Sequence, residues 1–442
     1  MNVTNLFVNG KAIMTTRLLA IVIIITVLAF PTRQARHSLW AQTSRADSTD
    51  FMPHLSMVGS DNKVFVFHDS INQFEIELSD SSEAIHDPCI SINRWNKECW
   101  LKITLPSSDS AFIVMEDESK SQIQLTEGNL KHGFYMRSRN EFEWEITLAD
   151  RPDSGVLAFD IEIENLLFFY QDPDTFKAYG NNWDYREYIP GSYAVYHESN
   201  KQGIYKSGKA FHIYQPLAWD TNGDTVWCGL NIDIALGKLS VSVPDDFLDR
   251  ADYPVVVDPT FGCTSQGETG VHMETNNFRH MVNYNDHQDA DGEMQTAYIC
   301  AYRINQSAAC TATVVVYSYS PDLNECAKVV SSDKIEVTKY ASSPNDAEWF
   351  NGSISGTLAD DEDYLVSWQG RESCDYCLRV CADYTGTWGF ERREDYSDWG
   401  TNDDLSGYSS NGFRYSVYVD CEESGGPIIN PYARIRKMKR SH

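Results

Sequence analysis

Beyond residue 50 the chain alternates apolar and polar side chains repeatedly. Phe74-Glu-Ile-Glu-Leu78, Trp100-Leu-Lys-Ile-Thr-Leu105, Phe142-Glu-Trp-Glu-Ile-Thr-Leu148, Phe159-Asp-Ile-Glu-Ile163 and Leu239-Ser-Val-Ser-Val243 each put apolar groups on one face and polar groups on the other. That two-residue period predicts half-buried strands. The separators are turn material, such as Pro106-Ser-Ser-Asp-Ser and Arg151-Pro-Asp-Ser-Gly155. Thr221-Asn-Gly-Asp224 predicts a hairpin between Phe211–Tyr214 and Val226–Ile232. No helical stripe is sustained after the leader. The predicted fold is all-β, with two antiparallel β-sandwich or jelly-roll domains behind an N-terminal signal or anchor helix.

The leader is the apolar run Leu18 to Phe30, preceded by Lys11 and Arg17. Thirteen residues are short for a membrane span and right for a signal-peptide core. Cleavage after Ala41 gives a secreted protein. Retention, favoured by Arg33, Arg36 and His37, gives a membrane anchor through residues 18–30. The remainder divides where Tyr253-Pro-Val-Val-Val-Asp258 runs into Pro259-Thr-Phe-Gly262. Residues 1–50 are leader and linker, 51–260 a first β-domain, and 261–421 a jelly roll. That jelly roll draws on strands at Thr296–Arg303, Thr311–Tyr317, Tyr364–Trp368, Cys377–Cys381 and Arg414–Val419. Residues 422–442 form a basic tail with Arg434, Arg436, Lys437, Lys439 and Arg440, read as solvated and disordered.

Charge then limits the partners. A formal net charge of −28 repels nucleic-acid backbones and anionic membranes, so the main body is expected to bind neither. The eleven cysteines suit disulfides in an exported chain, and their odd number leaves one over. Cys374, Cys377 and Cys381 cluster, but no second Cys or His pair follows at zinc-finger spacing, which favours a disulfide or burial over metal. Asn305 and Asn351 head glycosylation sequons.

Three groups of residues carry candidate chemistry. Asp160, Glu162 and Glu164 share one face of a strand, as in jelly-roll glycosidases that use three acids on one strand; here the order is Asp-x-Glu-x-Glu, and an exposed polar face is the plainer account. Asp286, Asp289, Asp291 and Glu293, with Gly292 for the turn, supply oxygen ligands for Ca²⁺ in a loop without EF-hand spacing. Trp388, Tyr396, Asp398 and Trp399 place aromatic rings beside a carboxylate, the combination that a sugar-binding face uses. The nucleophile-elbow, phosphate-loop, dinucleotide and zinc-protease signatures are absent.

Several strings resemble uncharacterised β-rich proteins of tailed phages and environmental metagenomes. They are Ser192-Tyr-Ala-Val-Tyr-His197, Gly208-Lys-Ala-Phe-His-Ile-Tyr214 and Ala251 through Tyr253-Pro-Val-Val-Val-Asp-Pro-Thr-Phe-Gly262, with Ile90-Ser-Ile-Asn-Arg-Trp95 and Asn165-Leu-Leu-Phe-Phe-Tyr-Gln171. The resemblance spans roughly residues 60–262. It implies a virion or surface role and assigns no active site. The expectation is therefore a non-enzymatic extracytoplasmic or virion-associated structural or adhesive protein, with glycan or other subunits of an assembly as partners. The alternative is a secreted glycan-active hydrolase.

Overall fold

The computed structural model describes residues 55–58, 64–69, 73–79, 88–105, 113–117, 120–127, 129–138, 140–179, 183–200, 203–272, 278–287, 292–320, 325–359, 363–372, 377–386, 389–394, 402–404, 409–410 and 412–423. The leader and residues 424–442 lie outside them, whereas Glu422 and Glu423, read as the start of the basic tail, end the strand Val417–Glu423. Among the described residues no helix is long and apolar enough to cross a membrane. Among the described residues strands dominate, paired antiparallel into sheets of eight, eleven, seven and eight strands, with short helices such as Pro173–Tyr179 and Asp245–Leu248 between them.

The alternating segments become the strands that their patterns predict. Phe74–Ser79 and Cys99–Thr104 each bury every second residue, and Glu141–Leu148 and Val156–Glu164 supply alternate apolar residues to the same interior. The buried faces of the first two sheets meet in one cluster. Ile76, Ile92, Leu101 and Phe159 come from the first sheet, and Phe134, Trp144, Val195 and Phe211 from the second. Trp144 meets Phe159 edge-on at 4.7 Å between ring centroids, a geometry worth about 0.5–1.5 kcal/mol beyond area burial. A second cluster joins the other two sheets. Ile299, Val380, Ala382 and Tyr415 come from the third, and Val314, Val366 and Trp368 from the fourth.

Two local expectations need correction. The Asn222-Gly223 turn is present, with Gly223 at φ +83°, but it joins Leu217–Trp219 to Thr225–Trp227 rather than the outer segments. Pro216 interrupts the chain after Lys209–Ile213, and the Asp220 carboxylate accepts from the backbone N–H groups of Asn222 and Asp224 to set the turn. The strand read as Arg414–Val419 breaks at buried Ser416. Phe413–Tyr415 pairs with Leu378–Tyr384, and Val417–Glu423 pairs with Gly292–Arg303. Separately, Trp183–Tyr185 pairs with Thr269–His272 at the edge of the third sheet.

Two strands carry polar side chains out of the first core and toward the third sheet. Tyr193–His197 and Lys209–Ile213 are adjacent in the second sheet, and their register shifts between Val195 and Tyr196. Strict alternation from Ile213 and Phe211, both in the first core, would carry Lys209 into that core as well. The bulge instead pairs Lys209 with Tyr196, on the face of Ala194 and His212 that looks away from the core.

Candidate functional site

That outward face meets the third sheet through polar side chains. In Leu378–Tyr384, Leu378, Val380 and Ala382 enter the second core, so Arg379, Cys381 and Asp383 point the other way. Asp383 faces Lys209, with Nζ 2.8 Å from Oδ2 and both side chains fully buried at 0% exposure. The approach is misaligned for a hydrogen bond, so the ammonium has a close counter-ion and no hydrogen-bond acceptor. The carboxylate is better served. Tyr196 donates its hydroxyl to Oδ2 at 2.8 Å, and the Glu268 backbone N–H donates to Oδ1 at 3.0 Å.

Glu268 is also buried, and its Oε1 accepts from the Tyr214 hydroxyl at 3.2 Å. Burial raises the Glu268 carboxyl above the ordinary range; the charge of Lys209 opposes that rise and the charge of Asp383 reinforces it. Arg414 closes the group, lying over the Tyr196 ring at 4.1 Å and donating Nη2 to the Ser207 carbonyl at 2.8 Å. Further bonds cross the same seam. Gln171 donates to the Tyr384 carbonyl at 2.7 Å and accepts from the Tyr384 N–H at 3.0 Å, while the Gly267 N–H donates to the Ser416 hydroxyl at 2.7 Å. Nearby, Asp184 accepts from both Arg379 at 2.9 Å and Tyr302 at 3.0 Å.

Ser192 and His212 lie on the same face, with Oγ 2.6 Å from Nε2. The pair does not have the polarity of a nucleophile and its base. The Ser192 hydroxyl donates to the Ile189 carbonyl, so it accepts from His212 Nε2–H, and Nδ1 is left without a hydrogen-bond partner. Burial, reinforced by the charge of Lys209, pushes the imidazole well below its ordinary pKa and keeps it neutral.

A second cluster sits on the outward face of Glu141–Leu148. Glu143 is 2% exposed; its Oε1 accepts from the Thr260 hydroxyl at 3.1 Å, and Arg137 stands 3.7 Å from Oε2. Oε2 of Glu143 and Oδ1 of the adjacent Asp258 are both buried without a hydrogen-bond donor. Both carboxyls are raised above their ordinary values, chiefly by burial, and mutual repulsion takes Glu143 well above. A proton on either acid would supply the donor that these two oxygens lack.

Asp160, Glu162 and Glu164 do share one strand face, and all three are exposed to solvent. Asp160 is paired with Lys238 at 2.6 Å and Glu162 with Lys102 at 3.0 Å, with exposures of 69% and 62% for the two acids. The strand register sets both pairs directly across from one another. Breaking one is expected to matter little: Lys238→Ala should shift stability by less than about 1 kcal/mol, as read by denaturant melts. Of the calcium candidates, Asp286 lies in Phe278–His287 of the fourth sheet, and Glu293 lies exposed in Gly292–Arg303 of the third, opposite Thr357 and Glu422. Asp289 and Asp291 fall outside the described residues, as do Trp388, Tyr396, Asp398 and Trp399. Among the described residues, no three His, Cys, Asp or Glu side chains converge as a metal site. Cys377 is disulfide-bonded in the second core, whereas Cys381 is a free thiol on the seam side, 3.4 Å from Cys300.

No family model and no curated protein matches the chain. Among solved structures, a serine-rich repeat protein from Streptococcus agalactiae is 9% identical and covers 75% of this chain and 94% of its own length. Its TM-score is 0.18. A likeness that low carries no argument about fold or activity.

Proposed function

We propose that the protein is a non-enzymatic, extracytoplasmic or virion-associated structural or adhesive protein. In this reading it is built as two sandwich-like units fastened to each other, with glycan contact made by Trp388, Tyr396, Asp398 and Trp399. The observation that carries the reading is where the buried charge lies. Lys209, Asp383, Glu268 and Arg414 hold one pair of sheets to the other with no exposed surface on the first two. The sharpest acidic strand, by contrast, stands in solvent with lysines across it. Substrate does not reach the buried group, so that arrangement serves cohesion. The phage-like strings of the first half, which include Lys209 and Tyr196, lend the reading further support.

The test uses the whole chain, because Trp183–Tyr185 completes a sheet of the second half and a fragment from residue 261 would lose it. The full-length protein is expected to bind members of a glycan array, more strongly with Ca²⁺, and to lose that binding in Trp399→Ala. The same panel is expected to stay unhydrolysed. Release of reducing sugar that disappears in Asp160→Asn would instead establish the hydrolase, and a blank array from folded protein would remove glycan binding from the account.

A further inference from the structure

Lys209 and Asp383 present an arrangement that an ordinary ion pair does not require. The ammonium is fully buried, 2.8 Å from a carboxylate oxygen, and has no hydrogen-bond acceptor. Taking both charges out of water carries a desolvation cost of several kcal/mol per ion, which only well-aligned hydrogen bonds offset. The alignment is missing on the lysine side. On the carboxylate side, both oxygens are held by donors, the Tyr196 hydroxyl and the Glu268 N–H. Those donors polarise the carboxyl carbon and stabilise negative charge developing on its oxygens. Beside them, in the same dry enclosure, is the carboxyl of Glu268, which burial holds toward its protonated form.

We propose that Lys209 and Asp383 condense spontaneously into an intramolecular amide, with Glu268 relaying the protons. The bond depends on the chemistry of the seam and forms whether or not the chain binds glycans. The balance is closed. Lys209 passes one proton to the Asp383 carboxylate, which gives a neutral amine and a neutral acid. The Nζ lone pair attacks Cγ and forms the C–N bond. Glu268 gives its proton to the departing hydroxyl and takes one back from nitrogen, so it ends as it began. The Cγ–O bond breaks and one water leaves. No oxidant, reductant or cofactor takes part. The driving force is local: condensation replaces two desolvated charges by a neutral amide, and the enclosure that excludes water also slows the reverse reaction. The product ties strand Lys209–Ile213 of the second sheet to strand Leu378–Tyr384 of the third by a covalent bond.

The purified full-length chain, reduced, denatured and digested with trypsin, decides the matter by tandem mass spectrometry. The wild type is expected to yield a branched peptide joining Lys209 to Asp383, lighter by one water than its two linear parts. Lys209→Arg is expected to yield linear peptides only. Glu268→Gln keeps the size and the backbone N–H of the relay residue, and is expected to fold but leave Lys209 free and cleavable. Asp383→Asn offers a second route to the same amide by loss of ammonia in place of water, so the branch is expected again with the lighter chemistry of that leaving group. Folded wild-type protein that gives only unmodified linear peptides would overturn the proposal. A branch formed equally in Glu268→Gln would overturn the assigned role of Glu268.

Discussion

Replacing Lys209 by Met is expected to destabilise the protein by at least about 3–5 kcal/mol, the range for removing one member of a buried ion pair, because the variant can form neither the pair nor the amide. The substitution keeps most of the length of the aliphatic stem, so packing at the seam is largely retained. What it leaves is the Asp383 carboxylate at 0% exposure without its counter-charge, held by Tyr196 and the Glu268 N–H alone. Asp383→Leu is expected to be severe for the converse reason, because Lys209 already lacks a hydrogen-bond acceptor and would lose the carboxylate 2.8 Å away. The double variant Lys209→Met/Asp383→Leu should be less destabilised than the sum of the two singles, since removing both charges removes the desolvation problem. Urea titrations of the four proteins measure that coupling. Additive losses would show that the two side chains do not act as a pair.

The second large effect is a pH dependence at the Glu143–Asp258 pair. Glu143 has a folded-state pKa well above its ordinary value of 4.5, so the native protein binds a proton more tightly there than the unfolded chain does. The stabilisation from this group is therefore fully present below about pH 4.5 and is lost as pH rises through the folded-state value. Groups facing the pair are Arg137, Glu141, Glu145 and Tyr135, with Thr260 on the neighbouring strand. Arg137 is the cation in that set, so ionising both acids crowds negative charge into a closed space. Glu143→Gln mimics the protonated acid and stays neutral at every pH. The difference in melting temperature between Glu143→Gln and wild type is expected to be small near pH 4.5 and to grow in favour of the variant toward pH 9. Each unit of pKa separation contributes about 1.4 kcal/mol to that difference. A difference that stays flat with pH would show that the pair does not share a proton.

Both effects arise at residues that the sequence places poorly, and the reasons are physical. Alternation located Glu141–Leu148 and Val156–Glu164 well, because each has one face in the first core. It did not separate their polar faces. Phe142-Glu-Trp-Glu and Phe159-Asp-Ile-Glu carry the same acidic rhythm, yet Glu143 is buried and Asp160 is solvated. The difference is coverage. Asp258, Thr260 and Arg137 lie against the Glu143 carboxyl, and no local pattern around Glu143 announces neighbours as far along the chain as Asp258 and Thr260. Lys209 was hidden by a different device. Its spacing from Phe211 and Ile213 is that of a core residue, and only the bulge opposite Val195 and Tyr196 turns it outward. Its partners Glu268 and Asp383 come from segments beyond the boundary read at residue 260. The signal available was chemical: a lysine opening a mostly apolar strand, Lys209-Ala-Phe-His-Ile213, requires a partner if that strand is buried.

The central claim is that the polar seam makes the two pairs of sheets unfold as one. Differential scanning calorimetry of the full chain tests it most directly, with Lys209→Met beside the wild type. A single wild-type transition is expected, with calorimetric and van't Hoff enthalpies that agree, and Lys209→Met is expected to keep one transition at lower temperature. Two resolved transitions in the wild type would contradict the claim.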